Sequence, residues 1–351
     1  MSRAMDHKPE MTNARADYYG RIDQFHLAPL WEVLHKLLVR EPVTKATPHV
    51  WQYDGLRNHL LESADVISAE EAERRVLILE NPSMRGESCI TEALYGGLQL
   101  IMPGEVAPAH RHSPSALRFI IEGSGAYTAI NGEKAYMERG DLILTPSWVW
   151  HDHGHEGDVP VVWLDGLDIP FVKYLGPVFA EPYPDERFPG AHQPGDNVAR
   201  YGANMLPFGA QVETRHSPIF HYRYAETRAA LERLSKSGDA DPCHGVKMEY
   251  VNPATGGSVM QTIGCYMQRL PKAFRGATYQ STASWVYNVV EGHGRTIVGD
   301  KVLEWGPRDV FVIPEWYPHR HEASDDAYLF SFSDLPIHKK MGLFRERRGD
   351  A

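Results

Sequence analysis

The sequence is short of cysteine, of long apolar runs and of positive charge. Among its 351 residues only Cys89, Cys243 and Cys265 carry thiols. They are too few and too scattered for a disulfide scaffold or a thiolate metal site. No segment approaches the roughly 18 consecutive apolar residues of a membrane span, so no membrane partner is expected. The opening stretch, MSRAMDHKPEMTNARADYYGR, has no apolar core of a secretory leader, and a cytoplasmic location is the expectation. Lys and Arg number 36 against 46 Asp and Glu, a net charge of −10. Nucleic acid is held by clustered positive charge, so it is not an expected partner either. A small anionic substrate stays open, because a single arginine can set the field of a pocket.

Glycine, proline, aromatics and histidine are plentiful. Thirty Gly and 25 Pro imply many turns rather than long helices. Eight Trp, 17 Tyr and 12 Phe are ample for a core, and the length suits one large domain or two moderate ones. Leu30, Val33, Leu34, Leu37 and Leu38 repeat at helical spacing and predict a helix with one buried face. Ser68 and Glu71 have capping-box spacing, which starts a second helix continuing to Arg75. The stretch PHVWQYDGLRNHLL between them shows no clear period.

From about Glu92 the texture is that of strands: short alternating or apolar runs broken by Gly, Pro and Asn-Gly. Asn131-Gly132 between two such runs predicts a hairpin. The whole reads as an antiparallel sandwich or small barrel. A Pro- and Gly-rich stretch over 181–201 links two bodies, and residues 225–234 read as a short helix. Strand-like runs then resume in the same order. Glu-Gly-x-Gly occurs at 122–125 and again at 291–294, each followed by a hairpin and a glycine-to-proline stretch, a weak internal repeat. The tail after Ile337, with Lys339, Lys340, Arg345, Arg347 and Arg348, reads as a solvated charged face.

Eighteen histidines stand out, five of them at 110, 112, 151, 153 and 155. On a strand, His110 and His112 point to the same side. A neighbouring strand can bring His151 beside them. Three neutral imidazoles suit Fe, Zn, Ni or Cu, and three protein ligands leave positions open for reactants. Exposed histidines on an edge strand are the ordinary alternative for a lone His-x-His.

Two motifs frame these histidines: Gly104-(x)5-His110-x-His112 and Gly140-(x)5-Pro146-(x)4-His151. They resemble the two motifs of the cupin β-barrel. The glutamate that usually follows the paired histidines is absent; Ala116 and Leu117 stand there, with Arg118 beside them. That departure, together with PHVW, ENP, WLDGLDIPF, YVNPATGG and FSDLPI elsewhere, resembles the bicupin ring-cleaving dioxygenases acting on gentisate, salicylate or 1-hydroxy-2-naphthoate. The resemblance covers most of the chain. It implies an all-β bicupin, two antiparallel jelly-roll barrels (double-stranded β-helices) with helices flanking at the N-terminus and between domains. The expected divisions are an arm over 1–85, a metal-binding cupin over 86–180, a linker over 181–245, a degenerate cupin over 246–335 and a tail over 336–351.

The resemblance further implies one Fe(II) per chain on His110, His112 and His151, and a homotetramer. It implies pocket roles for Arg74, Tyr95, Gln99, Arg118, His153 and Asp165. Tyr95 stands where the salicylate-cleaving relative has Trp, which favours gentisate. The implied reaction is O2-dependent ring opening between the carboxyl-bearing and ortho-hydroxyl carbons, giving maleylpyruvate. Alternation supports these roles, since Tyr95, Gly97 and Gln99 share one strand face, as do Trp163 and Asp165. His153 and Asp165 are expected to pair and to manage the phenolic protons, with Arg74 and Arg118 as anion clamps. In the second half Gly276-Ala-Thr-Tyr-Gln-Ser-Thr stands where His-x-His would fall, and His319 and His321 alone make a poor iron site, so that half is expected to have a structural or assembly role. Competing readings are a non-catalytic bicupin that stores or senses a ligand, and a metal-dependent isomerase.

Overall fold

The computed structural model describes residues 12–203, 205–238 and 240–349. It divides into a unit ending at Val43 and a unit from Thr44 onward. The first holds the helices Asn13–Asp23, capped by the Thr12 side chain, and Leu30–Leu37. The second helix forms where the leucine spacing predicts it. Its expected burial does not follow, for Leu30, Leu34 and Leu37 are all exposed in the single chain.

The second unit is built from antiparallel strands in four sheets. One sheet has Tyr95–Ile101, Ala116–Glu122, Leu142–Thr145 and Val161–Leu167 at its centre, with Arg75–Ile78 and His221–Tyr222 at its edges. Its opposing sheet carries Val106–His112, Ala126–Ile130, Glu133–Tyr136 and His151–His155, extended by Ala180–Pro182. Ile101, Ile120, Ile143 and Trp163 from the first sheet pack with Ala126 and Ile130 from the second, which closes a barrel. The second barrel repeats the plan. Gly264–Leu270, Trp285–Glu291, Val310–Ile313 and Ala327–Ser333 face Gly294–Val298, Lys301–Trp305 and His319–Ala323 across a core of Trp285, Tyr287, Phe311 and Trp305.

The two barrels pack on each other through their first sheets, whose central strands are therefore buried on both faces. This is why ALRFIIE and VVWLDGL read as nearly continuous apolar runs. Leu117, Phe119 and Ile121 point between the barrels, where Phe119 stacks on Phe330 at 4.0 Å. Ala116, Arg118 and Ile120 point the other way, into the first barrel. Gly166 is small for the same reason: a Cβ there would lie 2.9 Å from the Phe332 ring.

Repetition extends to special backbone. Gly123 and Gly292, the glycines of the two Glu-Gly-x-Gly motifs, have φ of 85° and 84°. A Cβ at either would strike a carbonyl oxygen, of Pro160 or of Asp326. Trp148 and Trp316 both hold positive φ, at 63° and 61°. The glutamates of the two motifs each anchor a helix. Glu122 accepts from Tyr53 Oη at 3.0 Å and Arg57 Nη2 at 2.6 Å, on the helix Tyr53–Val66. Glu291 accepts from Tyr224 Oη at 2.6 Å and Arg228 Nε at 3.0 Å, on the helix Tyr224–Lys236. The same Tyr-x-x-x-Arg spacing serves both, four residues apart on one helix face.

Two further readings change. The capping box at Ser68 and Glu71 forms, but its helix is only Ala69–Ala72. Glu73 adopts a positive φ of 52°, which turns Arg74 and Arg75 out of the helix and toward the barrel. The basic side chains of the tail, Lys339, Lys340, Arg345, Arg347 and Arg348, are exposed as expected, but the backbone among them pairs. After the helix Leu335–Lys340, the strand Glu346–Arg348 pairs with Tyr279–Ser281, and Arg348 reaches Asp241 at 2.6 Å.

Phe119→Ala removes the ring at the centre of the inter-barrel contact. It is expected to lower the unfolding free energy by about 3–5 kcal/mol, measured by equilibrium denaturation; a loss within the range of a surface change would contradict that packing.

Candidate metal centre

Alternation along Val106–His112 puts His110 and His112 inside and Arg111 outside. Outside, the Arg111 guanidinium lies between the Trp148 and Trp150 rings, at 4.5 and 4.4 Å from their centroids, and pairs with Glu181 at 2.7 Å. Inside, register places His151 directly opposite His110. Ring centroids are 4.2 Å apart for His110 and His151, 4.9 Å for His112 and His151, and 5.2 Å for His110 and His112. One nitrogen from each of the three lies within 4.8 Å of the others.

Two of the rings are aimed by their own backbones. His112 Nδ1 lies 2.7 Å from the Pro114 carbonyl oxygen, and His151 Nδ1 lies 2.9 Å from that of Val149. A proton on each Nδ1 satisfies the carbonyl and leaves the Nε2 lone pair for an ion. His151 Nε2 is buried with no hydrogen-bond partner among the described residues. Burial, reinforced by Arg74 and Arg118, lowers the His110 ring to about 2. Burial also lowers His112 to about 4, and pushes His151 well below its ordinary range. All three are therefore neutral donors. Three neutral nitrogens with an orphaned lone pair fit a transition metal and not an oxygen-seeking cation.

Around this cluster the structure gathers the other expected residues. Arg74 Nη2 donates to the Pro108 carbonyl at 2.8 Å and also contacts His110 Nδ1. Arg118 is 4% exposed; its Nη1 donates to Thr145 Oγ1 at 2.7 Å, and its Nε lies 3.6 Å from Asp165 Oδ1 without a hydrogen bond. Burial lowers Arg118 to about 10 and raises Asp165 to about 6, the latter against the pull of Arg118 and a Trp163 hydrogen bond. Gln99 is buried on the inward face, and Tyr95, at the start of the same strand, is half-buried. Burial and the Asp165 charge both raise the Tyr95 phenol.

The direct pairing expected between His153 and Asp165 does not form. His153 Nδ1 is held by Thr128 Oγ1 at 2.9 Å, its register partner on the next strand. Asp165 Oδ1 accepts instead from Trp163 Nε1 at 3.0 Å. His153 Nε2 is left buried and, among the described residues, unpartnered. His155 is the last residue of the strand His151–His155, opposite Ala126, and lies outside the site: its Nε2 meets the Val159 carbonyl and its Nδ1 accepts from Gly157 N–H. Thr128 and Thr145 are the positioning residues that sequence reasoning missed. Only the strand register, fixed by both hairpin ends together, reveals them.

The cluster thus brings together three nitrogen donors, two guanidiniums and one carboxylate in a largely buried interior, an arrangement with the chemistry to hold a small anion beside a metal ion. Residues 97–167 match the family described as "Cupin domain". The chain is 49% identical to gentisate 1,2-dioxygenase 1 of Aquipseudomonas alcaligenes over 97% of its own length and 98% of the relative's. It is 33% identical to a 5-aminosalicylate 1,2-dioxygenase of Comamonas sp, covering 95% and 92% of the two chains. Among solved structures, the salicylate 1,2-dioxygenase of Pseudoaminobacter salicylatoxidans in adducts with gentisate superposes with a TM-score of 0.92 at 34% identity, over 99% of this chain and 97% of that one. With the same fold and a three-histidine centre, the chain belongs to the gentisate 1,2-dioxygenase family of bicupin ring-cleaving enzymes.

Proposed function

We propose that the chain cleaves gentisate with O2, between the carboxyl-bearing carbon and the adjacent hydroxylated carbon, to give maleylpyruvate. One Fe(II) per chain is held by His110, His112 and His151. The observation that carries the reading is the donor set itself: three neutral imidazoles, His151 buried and His110 and His112 half-buried, grouped among the described residues without a carboxylate and flanked by two guanidiniums. When bound, the ion supplies a Lewis acid for the substrate carboxylate and ortho-oxygen, and redox chemistry with O2.

The remaining work belongs to the chain. Arg118, fixed by Thr145, and Arg74 receive the anionic groups of the substrate and orient its ring. Tyr95 and Gln99 bound the ring from the strand opposite. Thr128 can donate to or accept from His153 Nδ1, so His153 Nε2 can present either a lone pair or a proton to a phenolic oxygen. Asp165, held by Trp163, keeps Arg118 in place. A homotetrameric assembly and a cytoplasmic location complete the proposal; sedimentation at four chain masses is expected.

Chelator-treated protein should take up no O2 with gentisate, and Fe(II) should restore uptake together with the absorbance of the ring-opened keto acid. Gentisate should be turned over faster than salicylate or 1-hydroxy-2-naphthoate. Iron-loaded protein that consumes no O2 with any of the three would instead indicate a binding protein.

His151→Ala is expected to strip bound iron to near zero by elemental analysis; a folded variant with full iron and activity would refute the ligand set. Arg118→Met should leave iron content unchanged and raise KM about ten- to a hundredfold, the loss of one charge-assisted contact of about 1.5–3 kcal/mol. Iron loss with unaltered KM would overturn its role.

A further inference from the structure

The second barrel keeps part of the first one's interior. His319 Nδ1 faces the Tyr317 carbonyl as His151 faces that of Val149, and His321 Nδ1 lies 2.8 Å from Thr296 Oγ1 as His153 does from Thr128. The paired ligands are gone: Tyr279 stands opposite His319 where His110 stands opposite His151. Among the described residues, the three-nitrogen cluster of the first barrel has no counterpart here.

A cation takes its place. On the strand Val246–Glu249, Val246 packs between the barrels, so Lys247 points into the second one. Its Nζ lies 3.9 Å from the Trp285 ring centroid, 5.3 Å from that of Tyr266 and 5.5 Å from that of Tyr287. It has no hydrogen-bond partner among the described residues. Nor have His244 Nδ1, His319 Nε2, His321 Nε2, Tyr287 Oη and both polar atoms of Gln268, all buried. A cleft of about 370 Å³, lined by His244, Lys247, Tyr266, Tyr279 and Trp285, opens onto this interior.

Buried donors and acceptors left unmet are costly, and the aromatic faces around the Lys247 ammonium offset only part of its desolvation. The carboxylates lining the cleft make their ion pairs and hydrogen bonds with other groups, although the charges of Asp241 and Glu249 still favour the Lys247 ammonium from a distance. Asp241 and Glu346 face Arg348 at 2.6 and 3.7 Å, and Glu249 accepts from Ser258 at 2.6 Å. An occupant that satisfies Lys247 must bring its own negative charge, and one that fits between aromatic walls is flat. We propose that the C-terminal barrel is a second ligand site, which takes a small aromatic carboxylate with its carboxylate on Lys247 and its ring against Trp285. Burial lowers the Lys247 ammonium to about 7, and an arriving carboxylate relieves that penalty.

The probe is 4-fluorobenzoate, titrated by 19F NMR into the full-length protein freed of metal. Two sites per chain are expected. Lys247→Met, which keeps the length of the side chain and removes its charge, should abolish one of them, or weaken it at least tenfold, and leave gentisate turnover by the iron-loaded enzyme unchanged. Arg118→Met should weaken the other. Binding that is unaltered by Lys247→Met overturns the proposal, whereas unaltered binding in Arg118→Met bears only on the first barrel. Should Lys247→Met fail to fold, wild-type crystals grown with saturating probe decide: the carboxylate within hydrogen-bond distance of Lys247 Nζ supports the site, and water alone in the interior refutes it.

Discussion

The packing of one sheet against another between the barrels is the constraint on which everything else rests. A strand buried on both faces has no solvent side, so each residue must commit to the contact between barrels or to a barrel interior. In Ala116–Glu122 this sends Phe119 onto Phe330 and Arg118 toward the histidines. In Val161–Leu167 it sends Leu164 into the inter-barrel core and Trp163 and Asp165 inward. A guanidinium buried this way has little freedom to leave. Its orientation comes from the stacking of apolar side chains one residue away.

Electrostatics inside the first barrel follow from the same burial. Histidines in bulk water are partly protonated near neutrality; here burial and two guanidiniums hold them neutral, in the form that binds a metal. The cost of burying Arg118 is offset by Thr145 and by the nearby Asp165. Asp165 is in turn raised by burial and steadied by the Trp163 indole. The site is locally cationic although the chain as a whole is acidic. Net charge is therefore a guide to bulk partners and says little about a pocket shielded from solvent.

Much of this was legible in the residues. The Asn131-Gly132 hairpin, the His-x-His pair, the helix near Leu30 and the repeated Glu-Gly-x-Gly all rest on local rules, and local rules survive folding. Less legible were features set by partners far along the chain. The helix Tyr53–Val66 has a diffuse apolar pattern because it is held by Glu122 through Tyr53 and Arg57 as well as by packing. The strand Glu346–Arg348 looks like a solvated basic tail because its backbone, and not its side chains, does the pairing. Thr128 is one polar residue in an apolar run until the register sets it opposite His153. Period-two alternation reports which face a residue takes, but not which residue it will meet there.

The paired left-handed tryptophans, Trp148 and Trp316, carry a wider consequence. A bulky residue held at positive φ is disfavoured, and its recurrence at matching places in both halves marks it as part of a shared blueprint. The same holds for Gly123 and Gly292 and for the two Tyr-x-x-x-Arg clasps. Backbone features common to the halves are thus the ones that build the container, and side chains that differ, such as His110 against Tyr279, decide its contents. The shared interior histidines, His151 with His319 and His153 with His321, stand between the two: a duplicated molecule shows by internal comparison that losing the paired ligands is enough to change one half's chemistry while its frame persists.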